Sequence, residues 1–78
     1  MKKDIEQAVK ELIPLYDETT TSDLQGLADV KAWGIFKKHN PYTKFADCFW
    51  QRSDIANTIL ELLYESIVLE LKKGGKNV

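Results

Sequence analysis

His39 and Cys48 are the single histidine and the single cysteine of the chain, and both fall in one short run, GIFKKHNPYTKFADCFW at 34–50. A thiol works as a nucleophile when a base lies within hydrogen-bond reach and a third group orients that base. These two stand nine residues apart, on either side of Asn40-Pro41, which punctuates the chain. Cys48 adjoins aromatic residues, the setting of an inert core thiol, and His39, beside a predicted helix start, reads as a loop residue. One histidine and one cysteine also fall short of the three or four ligands of a zinc site. Gly26 and Gly34 sit inside a helical pattern and Gly74-Gly75 closes one, so no glycine-rich phosphate loop is formed. The expectation is a protein that is not an enzyme and needs no cofactor or metal.

The same run carries chemistry of another kind. Residues 1–30 hold three lysines against seven carboxylates, whereas 31–52 hold Lys31, Lys37, Lys38, Lys44 and Arg52 against Asp47 alone. Six of the eight aromatic residues lie in this basic island. Two binding chemistries fit it. Lysines on a helix can neutralise phosphates and exposed rings can stack bases, which is nucleic-acid binding. Aromatics and arginine are also enriched in protein–protein hot spots, and Trp50 with Arg52 is such a pair. A helix-turn-helix needs a recognition helix with a polar front, and the candidate second helix is strongly apolar. A protein partner is therefore the leading expectation, with a small nucleic-acid-binding regulator using 31–52 as the alternative. The partner-binding residues expected are Trp33, Lys37, Lys38, Lys44, Trp50 and Arg52.

The elements that must position them read as helices. Ile5, Ala8, Val9, Leu12 and Ile13 form one apolar stripe, which predicts a helix over 4–13 that ends or kinks before Pro14. Ser22 and Gln25 have capping-box spacing and open a second helix over 23–38. Asn40 as N-cap and Pro41 at the first helical position predict a third over 41–50, with Tyr42, Phe45 and Phe49 facing inward. Ser53 and Asp54 can start a fourth over 54–73, although nothing separates it from the third and the two can run on as one kinked rod. The fourth helix is apolar around most of its circumference, from Ile55 to Leu71. Such a helix is either central or covers a second face against another chain, and a homodimer is the simplest use.

Seventy-eight residues suffice for one domain, and the reading is an all-α bundle of three to four helices spanning 1–78, with 74–78 a frayed tail. Asp4, Glu6 and Glu11 interrupt what would be the apolar part of an export signal, and no run reaches the length of a membrane span. A lone cysteine suits a reducing compartment, so the expected location is the cytoplasm. Together these features predict a small protein-binding regulator or inhibitor.

Overall fold

The computed structural model describes the backbone of residues 1–75, with the side chains of all of these except 17, 18 and 71–75. Three helices carry the architecture: α1 over Lys2–Leu12, α2 over Thr21–His39 and α3 over Phe49–Gly75. Two short 3₁₀ segments, Ile13–Glu18 and Phe45–Cys48, lie in the connections, and no strand occurs among the described residues.

The α1 stripe behaves as its spacing requires. Ala8, Val9 and Leu12 are buried, and Ile5 and Ile13 pack at the edge of the same core. Pro14 ends the α-helical ladder, and the chain tightens into the 3₁₀ segment, because proline at an early helical position loses no hydrogen bond. Thr20, rather than the expected Ser22, caps α2: its hydroxyl accepts the Asp23 amide at 3.2 Å. Both residue types are good caps, and the choice falls two residues earlier than the Ser22–Gln25 spacing suggests.

The helix expected over 41–50 does not form. Asn40 caps the end of α2 instead of the start of another helix. Its amide reaches the carbonyls of Phe36 and Lys37, and its side-chain Nδ2 donates to the Phe36 carbonyl at 3.2 Å. Pro41 disfavours a helical residue before it, and Asn40 sits at φ −139°, ψ 67°. A turn follows in which the Thr43 amide donates to the Asn40 carbonyl at 3.1 Å. Asn-Pro therefore serves as the first two positions of a β-turn, a role as natural to the pair as N-cap and N1. The separate fourth helix is also absent: α3 runs without a break from Phe49, and Ser53 and Asp54 lie inside it.

One core joins the three helices. Leu24, Ala28, Ala32 and Ile35 of α2 meet Ile55, Ala56, Ile59, Leu63 and Ile67 of α3, with Ala8, Val9 and Leu12 of α1. Ala28 and Ala32 are completely buried, and their small side chains let α2 approach its neighbours closely. Asp4 pairs with Lys38 and His39, while Glu11 pairs with Lys31, so the start of α1 lies at the end of α2 and the two run antiparallel. Leu62, Tyr64, Val68 and Leu69 of α3 stay outside the core. No helix among the described residues is long and apolar enough to cross a membrane. Gly74 and Gly75, expected to begin a frayed tail over 74–78, are instead the last residues of α3, and 76–78 and the side chain of Leu71 lie outside the described residues.

Candidate partner-binding site

The connection between α2 and α3 builds a ladder of rings and cations. Trp33, partly buried on α2, meets Phe45 edge-to-face at 5.2 Å between centroids and 88° between planes. Lys37, one helical turn after Trp33, places its Nζ over the indole at 5.5 Å. Arg52, in the first turn of α3, lies over the Phe45 ring at 3.6 Å and near the Phe49 ring at 5.9 Å. Phe49 in turn meets Trp50 edge-to-face at 5.2 Å and 79°. Both edge-to-face pairs match the geometry that the ring quadrupole favours.

Local structure explains this arrangement. After the Asn40–Thr43 turn, Lys44 is extended at φ −80°, ψ 149°, and the Asp47 amide closes the 3₁₀ segment on the Lys44 carbonyl at 3.0 Å. The tighter helix points Cys48 into the core, fully buried, with its thiol donating to the Phe45 carbonyl at 3.5 Å. With Cys48 inside, its neighbours point outward: Tyr42 is 97% exposed, Phe45 54%, Phe49 55% and Trp50 76%. The expected inward packing of Tyr42, Phe45 and Phe49 is thus reversed. Their helical spacing has no consequence where no α-helix spans them.

The expected binding residues divide. Trp33, Lys37, Trp50 and Arg52 come together in the ladder. Lys44 is exposed at the start of the 3₁₀ segment. Lys38 is turned toward α1, where its Nζ bonds Asp4 Oδ1 at 2.9 Å. Arg52, paired with Trp50 as a contact residue, is instead buried at 7% exposure, with Phe45 and Phe49 packed over it. Phe45, Phe49 and Tyr42 are exposed, although their spacing predicts a place in the core. The signal that reveals them is the Asn-Pro turn, which removes the helix on which their inward reading depended.

His39 and Cys48 have different partners. The His39 Nε2 stands 3.1 Å from Asp4 Oδ2, beside the Lys38 ion pair. Hydrogen bonds from Lys38 and then His39 hold the Asp4 carboxyl down at about 2. Lys31 lowers Glu11 in the same way through a 2.8 Å bond. These contacts fasten α1 to α2. Among the described residues no group of three metal-ligating side chains is gathered.

Comparison with protein families, with curated proteins and with solved structures finds no match to this chain. The functional reading therefore rests on the ring-and-cation face itself.

Proposed function

We propose that this chain is a small, non-enzymatic binding protein, a regulator or inhibitor that grips another protein through the face made by Tyr42, Phe45, Phe49 and Trp50. The exposure of four large aromatic side chains within nine residues carries this reading. Isolated surface apolar residues need no explanation, but clustered exposed rings mark contact surfaces, and tryptophan and tyrosine dominate interface energetics. The lone buried cysteine suits a reducing compartment such as the cytoplasm. Self-association through α3 is compatible with this role, since it uses different residues.

Affinity capture from the native host with the wild-type chain, Trp50→Ala and Phe49→Ala tests the reading. A protein retained by the wild type, lost by both variants and only weakly sensitive to salt supports it. Retention that ignores both variants refutes it. Nucleic acid retained with a steep salt dependence favours the alternative reading of the basic segment.

A further inference from the structure

Arg52 carries the single fully buried polar side-chain atom left without a hydrogen bond among the described residues, its Nε. The residue is 7% exposed, and no described carboxylate or carbonyl pairs with its guanidinium. Phe45 supplies partial compensation through its ring face. At 3.6 Å from the centroid, the guanidinium is stacked closer to flat than to edge-on, because an N–H aimed straight at the ring would bring its nitrogen into collision with it. A flat guanidinium keeps all five donors in its own plane, directed past the rim of the ring. A buried donor such as this Nε is costly to leave without a partner.

The covering rings are themselves the outer layer of the protein. Phe45 and Phe49 are each about half exposed and adjoin Trp50. The Nε is sealed, but the two Nη groups are not among the buried unpartnered atoms, so the terminal end of the guanidinium is the part that a molecule seated on these rings can meet. We infer that Arg52 is the anchor of a carboxylate subsite within this face, taking an Asp or Glu side chain from an acidic, apolar segment of a partner protein in forked geometry. This inference rests on the reading of the face as a protein-binding surface. The charge around it agrees: Asp47 is the single carboxylate of residues 31–52, and Lys37 and Lys44 stand exposed beside the rings.

The ion pairs favour an acidic protein segment over a nucleic-acid backbone. Of the lysines in 31–52, Lys31 is tied to Glu11 and Lys38 to Asp4, leaving Lys37 and Lys44 for an incoming anion. Backbone binding needs a longer row of cations. Phe45 already carries Arg52 on its face and Trp33 against it, which leaves it a poor base-stacking platform. One forked guanidinium set among exposed rings suits a single carboxylate flanked by apolar side chains.

Short random peptides displayed as a library are selected against the whole wild-type chain, and the enriched sequences are synthesised and measured against variants. The expected sequences combine Asp or Glu with leucine or an aromatic residue. Arg52→Met keeps an unbranched apolar stem over Phe45 and should bind such a peptide about tenfold or more weakly. Exchanging the peptide's acidic residue for its amide should weaken wild-type binding similarly and leave Arg52→Met binding unchanged, a coupling that loss of stability alone cannot imitate. The melting temperature of Arg52→Met should change little, since the lost cation–π contact is offset by removal of a buried donor without a partner. Arg52→Lys, which keeps the charge and loses the fork, should also bind more weakly.

Enriched peptides without acidic residues overturn the inference, as does undiminished binding by Arg52→Met. If Trp50→Ala still abolishes binding in those cases, the face stands and only the carboxylate subsite falls. Failure to enrich any peptide, or binding indifferent to both Arg52 and Trp50, overturns the face as well. A single-stranded oligonucleotide that displaces the peptide with steep salt dependence overturns it in favour of nucleic acid.

Discussion

The guanidinium carbon of Arg52 lies 3.6 Å from the centroid of the Phe45 ring, so the first residue of the 3₁₀ segment is clamped by a residue in the first turn of α3. This contact links the exposed connection to the rigid helix. It also makes Phe45 both a cover for a buried cation and part of the outer surface.

Phe45→Ala should therefore cost about 2 kcal/mol, the scale of a desolvated cation–π contact together with some apolar cover. The about 3 to 5 kcal/mol of a fully buried phenylalanine is not expected, because half the ring is already in water. Phe45→Leu should restore part of the loss through apolar packing, but not the cation–π contact, since leucine has no π face. Urea denaturation of the three proteins measures the difference, and a loss near the core value would mean the ring is buried in solution.

Cys48 should prove inert. It is fully buried and its thiol is bonded to the Phe45 carbonyl. Cys48→Ala should cost roughly 1 kcal/mol, since a small buried group is lost with little cavity. Labelling of the native thiol should be slow and should accelerate only in denaturant. Fast labelling under native conditions would contradict the placement of the 3₁₀ segment.

Gly26 and Gly34 weaken α2 without a packing reason. A Cβ added at either meets nothing within 4 Å, and neither has positive φ. Gly34→Ala and Gly26→Ala should each stabilise the fold by about 0.5 to 1 kcal/mol, through helix propensity alone. Thermal melts of the single and double variants test this, with additive gains expected because the sites are two turns apart.

Asp4 sets the acid limit of the α1–α2 contact. Its carboxyl is lowered to about 2 from the ordinary 3.8, first by Lys38 and then by His39. Between those two values the unfolded chain binds more protons than the folded one, so stability rises with pH across that window. The contribution is complete above about pH 4 and is lost as pH falls through about 2. Asp4→Asn should flatten this part of the acid-unfolding curve, and raised salt should weaken the effect in the wild type, since the contact is at the surface. An acid limb identical in wild type and Asp4→Asn would refute the pairing.

Periodicity exposed the core and misled at the connection. The stripes of α1 and α3 could be read because a helix that buries one face must repeat its apolar residues every three to four positions. Ala8, Val9, Leu12, Ile59 and Leu63 show this directly. Residues 42–49 carry similar spacing, but Asn40-Pro41 closes one helix instead of opening another, and a tight 3₁₀ segment turns Cys48 inward in place of Phe45 and Phe49. Asn-Pro supports either outcome locally, and the choice is made by which carbonyls Asn40 can reach. Burial of Arg52 was likewise hidden, since charge argues for exposure until the rings that cover it are placed in space.

The outer face of α3 offers the last test. At 1.5 Å per residue, its 27 residues span about 40 Å, against about 28 Å for the 19 of α2 and about 16 Å for the 11 of α1. The longest dimension of the chain, 51 Å, reflects this excess. Ile55, Ile59, Leu63 and Ile67 satisfy the core, yet Leu62, Tyr64, Val68 and Leu69 remain outside it, and Tyr64, Val68 and Leu69 line one shallow apolar groove with Glu65. A second copy meeting this groove would cover Tyr64, Val68 and Leu69 together, in the self-complementary manner of a two-fold contact. Sedimentation equilibrium at micromolar concentration should then give a mass above the 9.0 kDa of one chain. Leu69→Glu should return it to one chain with stability changed by about 0.5 kcal/mol or less, because Leu69 is well exposed in the single chain. A wild-type mass of one chain across the concentration range refutes self-association through α3, while leaving the aromatic face at 42–50 untouched, since the two surfaces share no residue.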